Sequence, residues 1–300
     1  MDILFKKIFS KSFIRTLLNK GIPDESLKTI EIINKDLDRP SSDTLFDFFE
    51  NCFLELSKDK NRIEYFYKNT LINKYIFGTH NPKTSTVIHE LSINKSKADI
   101  ALITKRTFSI FEIKSERDSL SKLKNQIDDY FKVCPLVYVI SAEKHISKIL
   151  EVTNSNTGIL LCSRNNQITK IREAEIYKDQ IIKKEFVKIF NKAESLAIIK
   201  DLKKTNFAQY NLTHIHEEIS SYEYFEILKS YLKIAISSRN INSKNILFEN
   251  WPPSLYSFLT STKLTSSEIK NFKRNLFTPI NHLEKEQKYD ISKLLQSKTE

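Results

Sequence analysis

The chain of 300 residues is 40% hydrophobic and 28% charged, which is the composition of a globular protein that can bury a sizeable core. No apolar run reaches about 18 residues, and basic residues interrupt the apolar ones near the N-terminus, so we expect a cytoplasmic protein without a membrane span or signal peptide. The 3 cysteines follow no disulfide or zinc-binding spacing, so we expect them to be reduced and buried.

The formal net charge of +11 has two explanations. A chain rich in lysine, isoleucine and asparagine with only 3 glycines is typical of an A/T-rich genome. A charge excess of this size also suits an anionic partner, and most of it lies between residues 61 and 199. A surface that binds phosphate groups would concentrate charge in this way.

The first part of the chain carries helical patterns. Apolar residues at helical spacing predict packing helices over residues 2–20 and 42–58, with a polar stretch between them. A third pattern, NRIEYFYKNTLINKYIFG, predicts a helix that ends near Gly78.

The middle of the chain changes to strand patterns. STVIHELSI, KADIALIT and TFSIFEIKS predict a three-stranded meander. SLSKLKNQIDDYFKVC then predicts an amphipathic helix with Asp118 or Ser119 as its N-cap, and PLVYVIS predicts a strand that is buried on both faces. This order implies a right-handed crossover to a parallel neighbour, which AEKHISKILEV and TGILLCS repeat. We therefore expect a mixed sheet of about five strands.

From about residue 185 onward, helical patterns replace the strands. The sequence therefore predicts an α/β fold in which helices flank a mixed sheet. Its expected parts are a helical N-terminal region (1–58), an α/β domain (59–185) and a helical C-terminal region (186–300).

Three acidic residues, Glu90, Asp99 and Glu112, lie within the predicted meander. A tight turn at Asn94 and Lys95 would place Glu90 opposite Asp99. A second turn, at Lys105 and Arg106, would place Asp99 opposite Glu112. These acids would then share one face of the sheet.

Opposed carboxylates need a compensating cation. Two of them about 5 Å apart repel by about 3 kcal/mol at an effective dielectric of about 20. A divalent ion such as magnesium binds carboxylate oxygens and leaves positions for phosphate. Lys114, two residues after Glu112, could orient the attacking water or stabilise charge on phosphorus. The alternative is that the three acids face solvent, each loosely paired with a lysine.

This pattern resembles the PD-(D/E)XK nuclease superfamily. The resemblance rests on Asp99, on Glu112-Ile113-Lys114 in the next strand, and on QIDDY, which matches the Q-x-x-x-Y helix motif of RecB-type nucleases. The chain is most similar to an uncharacterised bacterial group of this superfamily that is named after a locus tag. NRIEYFYKN, HELSINKSKADIALI, FEIKSERDSLSKLKNQIDDYFKV and PLVYVIS follow that group's pattern over residues 61–165.

The resemblance implies a restriction-endonuclease-like fold and metal-dependent hydrolysis of phosphodiester bonds. It makes Asp99 and Glu112 metal ligands for Mg²⁺ or Mn²⁺ and Lys114 the catalytic lysine, with Glu90 as a further acid and metal ligand. Gln126 and Tyr130, one helical turn apart, would lie beside the site and help to hold the substrate or Lys114.

Other positions of this resemblance have more than one interpretation. Glu64 stands where relatives have an acidic residue before the sheet, but it could equally be a solvated helix charge. Arg117 is a candidate phosphate contact, whereas Asp118 fits a helix cap better. Ala98 replaces the proline of the name-giving motif, as it does in many members.

The favoured function is therefore a magnesium-dependent nuclease that acts on nucleic acid, with DNA preferred, and a protein partner or a homo-oligomer is compatible with it. The alternative is a non-catalytic nucleic-acid-binding or regulatory protein on the same fold. His214 and His216 lie in helical surroundings and are not expected to bind metal. No glycine-rich phosphate loop is present, so we expect no nucleotide cofactor.

Overall fold

We determined the fold from a computed structural model, which describes residues 2–37, 42–58, 62–163, 166–203, 209–239 and 250–283. The chain forms two compact units: Met1–Asn69 with Asn245–Glu300, and Thr70–Lys244, here called the sheet unit. This division differs from the three expected segments, because helices beyond residue 185 belong to the sheet unit. Within the described ranges, every helix is too short or too polar to cross a membrane.

Both units contain helices. Ser10 caps a new helix by accepting a hydrogen bond from Phe13 N, so the helix expected over residues 2–20 is two helices. The polar stretch after it contains a helix, α3, that the sequence analysis missed. The helices are α1 (Asp2–Ile8), α2 (Lys11–Thr16), α3 (Asp24–Asp36), α4 (Leu45–Leu56), α5 (Glu64–Thr70), α6 (Phe77–Thr79), α7 (Leu123–Phe131), α8 (Ile146–Val152), α9 (Lys183–Phe186), α10 (Lys192–Lys203), α11 (Leu212–Ser220), α12 (Tyr224–Ser238), α13 (Tyr256–Ser261) and α14 (Ser266–Phe277).

The described part of the sheet unit holds a six-stranded mixed sheet in the order β1-β2-β3-β4-β5-β6. The first three strands are antiparallel, β3, β4 and β5 run parallel, and β6 is antiparallel to β5. The predicted meander and both parallel crossovers are confirmed, whereas β6 was missed. The strands are β1 (Ser85–Ile93), β2 (Ser96–Thr104), β3 (Phe108–Lys114), β4 (Leu136–Ser141), β5 (Gly158–Cys162) and β6 (Ile168–Arg172).

The register of the meander follows the predicted turns. Leu91 pairs with Ala98 across the turn at Asn94 and Lys95. Ile100 pairs with Phe111 across the second turn. These pairs have the predicted register on both sides of β2, but neither Glu90–Asp99 nor Asp99–Glu112 is among the paired residues.

The alternation of side chains in β1 changes phase at Glu90. This residue has a left-handed backbone, with φ of 55°, and the β1–β2 pairing skips it. Ile88 and Leu91, three residues apart, both pack against the same core. Strict alternation would have put them on opposite faces. The left-handed residue therefore lets β1 keep apolar side chains on the core face on both sides of it.

The core of the sheet unit lies between one face of the sheet and helices that include α7, α10 and α12. Phe108 and Ile110 on β3 belong to it, as do Leu123, Ile127 and Phe131 on α7. Glu112 and Lys114 follow Ile110 at intervals of two on β3, so they continue along the same face. The apolar stripe of α7 thus holds this helix against the end of β3 where the two charged residues lie.

Candidate functional site

Glu112 and Lys114 form a buried ion pair at the end of β3. Lys114 Nζ lies 2.8 Å from Glu112 Oε1. Glu112 is 2% exposed and Lys114 is 8% exposed. Two charges at this depth lose their hydration, so they require both mutual contact and further hydrogen bonds.

Helix α7 supplies those further hydrogen bonds through Gln126 and Tyr130. Gln126 Oε1 accepts from Lys114 Nζ at 2.9 Å, and Gln126 Nε2 donates to Glu112 Oε1 at 2.6 Å. The Tyr130 hydroxyl donates to Glu112 Oε2 at 2.7 Å and also lies 3.0 Å from Lys97 O. Glu112, Lys114, Gln126 and Tyr130, here called the buried network, thus form one connected hydrogen-bonded set.

The environment of Tyr130 keeps its phenol protonated. Burial raises the pKa of Tyr130, and the negative charges of Glu112 and Asp99 raise it further. Protonated, the phenol remains a hydrogen-bond donor to Glu112 throughout the physiological range.

Asp99 lies on β2, next to β3 and the buried network. Its Oδ2 accepts a hydrogen bond from Ile113 N at 2.8 Å, between Glu112 and Lys114 in the chain. Its charge also acts on Tyr130. Two of the three acids expected to bind metal, Asp99 and Glu112, therefore lie on adjacent strands with Tyr130 as a common neighbour.

Glu90 lies at the margin of this region. Its carboxylate pairs with Lys97 at 2.8 Å, and its side chain is 53% exposed. Because the β1–β2 pairing skips Glu90, its predicted direct opposition to Asp99 is not part of the observed ladder. The described residues hold no group of three or more His, Cys, Asp or Glu side chains placed to bind a metal ion. Of the three expected acids, Asp99 and Glu112 lie on adjacent strands, whereas Glu90 pairs with Lys97.

The turn between β3 and α7 differs from the prediction. Asp118 does not cap α7, which begins at Leu123, with Lys122 at the N-cap position. Instead, Asp118 Oδ2 accepts hydrogen bonds from the backbone N–H and the hydroxyl of Ser115, both at 2.7 Å. The turn therefore fixes the residue directly after Lys114. Arg117 is exposed in this turn.

A cleft of about 710 Å³ adjoins the buried network, and the sequence analysis did not predict it. The β1–β2 turn and the polar face of α7 form its walls, and Gln126 belongs both to the cleft and to the buried network. The sequence shows an excess of positive charge in this region. It does not show that lysines from two separate elements line one cleft. Four lysines line this cleft, here called the lysine cleft: Lys95, Lys97, Lys122 and Lys132.

Three other residues considered from the sequence have contacts of their own. Glu64, the first residue of α5, belongs to the other compact unit and forms an ion pair with Lys68. His216 Nε2 lies 3.0 Å from the Ser195 hydroxyl, and burial lowers the pKa of this histidine. The ring of His214 stacks on Tyr210. These contacts explain the two histidines as structural residues of α11.

A model of one protein family, described as Bacteriophage P4 protein cII, matches residues 57–273. This range includes the whole buried network, the lysine cleft, and α10, α11 and α12. No curated protein and no solved structure matches the chain significantly.

Proposed function

The chain belongs to the family of bacteriophage P4 protein cII, and on this premise we propose that it is a metal-dependent nuclease that hydrolyses phosphodiester bonds in nucleic acid, with DNA as its substrate. The family description names a phage protein and no reaction. The support for hydrolysis is therefore the geometry of the buried network and the resemblance of its residues to PD-(D/E)XK nucleases.

The observation that carries the proposal is the ion pair of Glu112 and Lys114 at the end of a buried strand. A carboxylate and an ammonium on one strand face could be replaced by apolar side chains at little cost to stability. Here both charges remain, with Asp99 on the adjacent strand and the lysine cleft beside them. Two buried charges at this cost in desolvation favour a chemical role over a packing role.

The donor set fits a magnesium or manganese ion held by Asp99 and Glu112. Magnesium is commonly bound by one or two carboxylates, with water and substrate phosphate completing its coordination. Such an ion acts as a Lewis acid on the phosphate group and increases the acidity of water. Glu112 Oε1 accepts hydrogen bonds from Lys114 and Gln126, and Oε2 accepts one from Tyr130, so Oε2 keeps a lone pair that would be available to the ion.

Lys114 is the proposed catalytic residue. Its ammonium is oriented by Glu112 on its own strand and by Gln126 on α7. In this position it can stabilise negative charge that develops on a bound phosphate. Gln126 is a positioning residue, because it bonds both members of the ion pair, and Tyr130 fixes the second oxygen of Glu112.

Three peripheral residues have weaker support. Glu90 has a strained left-handed backbone, which costs about 1–3 kcal/mol and is often found at functional sites. Its carboxylate binds Lys97 at the edge of the lysine cleft. Arg117 and Glu64 stay candidates for substrate contact on the strength of the resemblance alone.

A second candidate is a non-catalytic nucleic-acid-binding or regulatory protein. The observation that favours it is that both oxygens of Glu112 are satisfied within the protein, by Lys114, Gln126 and Tyr130. A fully satisfied buried network can stabilise a fold without reacting. This candidate predicts nucleic-acid binding without cleavage.

One experiment separates the two candidates. Supercoiled plasmid, linear duplex, single-stranded DNA and RNA are each incubated with purified protein in magnesium, manganese or a chelator. We expect cleavage of DNA that requires metal. Replacing Lys114 or Asp99 by alanine should abolish it, because either change removes a residue of the proposed reaction.

Lys229→Ala is the matched control, since Lys229 is an exposed lysine of α12 that does not line the cleft. This variant should cleave as the wild type does. Asp99→Asn is a further variant, because asparagine can still accept the hydrogen bond from Ile113 N and should preserve the fold. Unchanged cleavage by folded Lys114→Ala and Asp99→Asn proteins would contradict the proposal.

A further inference from the structure

We infer that the lysine cleft binds the sugar-phosphate backbone of double-stranded nucleic acid, without reading its sequence. The inference deepens the proposed function and rests on it, because the cleft adjoins the buried network and would supply its substrate. The binding itself requires no metal, so it can be tested independently of cleavage.

The positions of the lysines are the first support. Lys95 lies in the β1–β2 turn and Lys97 at the start of β2, whereas Lys122 and Lys132 lie at the two ends of α7. Positive charge is therefore presented from both walls and along the length of the helix. A polymer with regularly spaced phosphates can contact both walls at once, whereas a single small anion reaches fewer of these lysines.

The balance of charges in the cleft is the second support. Lys132 is paired with Asp129 at 2.8 Å, and Lys97 is paired with Glu90 at the same distance. Lys95 and Lys122 have no partner among the described residues. Two lysines thus carry positive charge into the cleft without a local counter-ion.

The acidic residues of the cleft do not cancel these two lysines. Asp128 is paired with Lys124, and Asp129 accepts hydrogen bonds from both Lys132 and Ser96. Partial burial acts to raise the pKa of Asp129, but the hydrogen bonds from Lys132 and Ser96 outweigh it, so this pKa lies below its ordinary value. Each carboxylate is therefore already compensated by a neighbour.

The lining chemistry distinguishes duplex from single strand. Proteins that bind single strands without sequence preference combine positive charge with aromatic side chains on which bases stack. Among the described residues that line the cleft, none is aromatic, and the uncharged ones are Ser96, Asn125 and Gln126. Lysine, serine and amide groups suit phosphate and sugar oxygens, which carry no sequence information. The lining therefore fits the backbone of a duplex whose bases stay paired.

The experiment measures binding in chelator, so that no cleavage occurs. A short fluorescent duplex of random sequence is titrated with wild-type protein by anisotropy at several salt concentrations, and the matching single strand and polyglutamate are titrated in parallel. The test variant is Lys95→Ala/Lys122→Ala. We expect the duplex to bind most tightly and the double variant to bind it about tenfold or more weakly. Its plot of log affinity against log salt should lose about two units of slope, one for each phosphate contact.

Lys200→Ala/Lys229→Ala is the matched control, because it removes the same charge from exposed positions on α10 and α12 that do not line the cleft. It should bind as the wild type does. Equal binding by the test variant and the control would overturn the assignment of the cleft. Equal or tighter binding of the single strand would overturn the duplex assignment, and equal binding of polyglutamate would overturn recognition of nucleic acid. Undetectable binding by the wild type would overturn the inference as a whole.

Failure of the inference can be separated from failure of the proposed function. The wild type should bind duplex in chelator and cleave it in magnesium, and the two readouts are measured separately. Duplex binding by every protein with no cleavage by the wild type would leave the inference standing and remove the nuclease. If the cleft variant still cleaves and its affinity for duplex is unchanged, the nuclease stands and the inference about the cleft is removed.

Discussion

The buried network and the lysine cleft share Gln126 but treat charge in opposite ways. In the network, Glu112 and Lys114 are almost fully buried, and each has partners within hydrogen-bond distance. In the cleft, lysines are exposed to solvent, and Lys95 and Lys122 have no ionic partner among the residues that the structure describes. A low dielectric requires local compensation of charge, whereas water tolerates a surplus. The surplus is then available for a ligand.

The largest effect is expected from a substitution that breaks the buried network. Glu112→Ala leaves the Lys114 ammonium buried with only Gln126 as a partner, so we expect the free energy of unfolding to fall by about 3–5 kcal/mol. Urea unfolding followed by circular dichroism measures this. The control is Glu151→Ala, which breaks an exposed pair with Lys148 and should cost less than about 1 kcal/mol. Similar losses for both variants would contradict the account of the network.

The next effect concerns the hydroxyl of Tyr130. Tyr130→Phe removes the donor to Glu112 Oε2 and leaves that buried oxygen without its partner, which should destabilise the fold by about 1–3 kcal/mol. Tyr177→Phe, on a ring that packs edge-on against Phe131, is the control and should change stability by no more than about 0.5 kcal/mol. A loss no larger than that of the control would show that the hydroxyl does not hold Glu112.

A smaller effect of opposite sign is expected at Glu90, on the edge of the cleft. A left-handed backbone costs a residue with a Cβ about 1–2 kcal/mol and costs glycine almost nothing. Glu90→Gly should therefore raise the free energy of unfolding by about 1 kcal/mol, less any contribution of the exposed ion pair with Lys97.

Ser92→Gly is the control for that effect, because Ser92 lies in the same strand and has no left-handed backbone. It should lower stability by about 0.5–1 kcal/mol. Urea unfolding followed by circular dichroism measures both variants. Destabilisation by both glycines would contradict the proposed strain at Glu90.

The smallest effect is a pH dependence at Asp129, whose pKa lies below its ordinary value of 3.8. A carboxyl with a depressed pKa stabilises the folded state above its ordinary pKa, and this contribution disappears as the pH falls through the folded value. Wild type should thus be more stable than Asp129→Asn at neutral pH, and the difference should shrink below about pH 4. Urea unfolding at several pH values measures it. A difference that is constant or grows on acidification would contradict the ion pair with Lys132.

Much of the meander could be predicted because its signals are local. Polar turns between alternating apolar segments fixed the register on both sides of β2, and the stripe of α7 placed Gln126 and Tyr130 on one face. The face change at Glu90 could not be predicted, because a left-handed backbone at glutamate has no sequence signature. This change is why the acids do not form the expected set of three.

Other features escaped prediction because they depend on the folded chain. Strand β6 is mostly exposed, so it lacks the apolar alternation that identifies a strand. Helix α3 begins directly after Pro23, in a stretch that was interpreted as polar and non-helical. The lysine cleft joins residues from two elements, and only their packing brings Lys95 near α7. The charge excess between residues 61 and 199 identified this region of the chain, but it did not identify the cleft that the lysines line.

The most direct test of the central claim is the rate of duplex cleavage in magnesium by wild type and by Lys114→Ala, both at protein concentrations that saturate the duplex. Saturation removes any difference in affinity, so the rate reports the reaction alone. The account predicts metal-dependent cleavage by the wild type and a rate lower by about 100-fold or more for the variant. Equal rates, or no cleavage by a folded wild type that binds duplex, would contradict it.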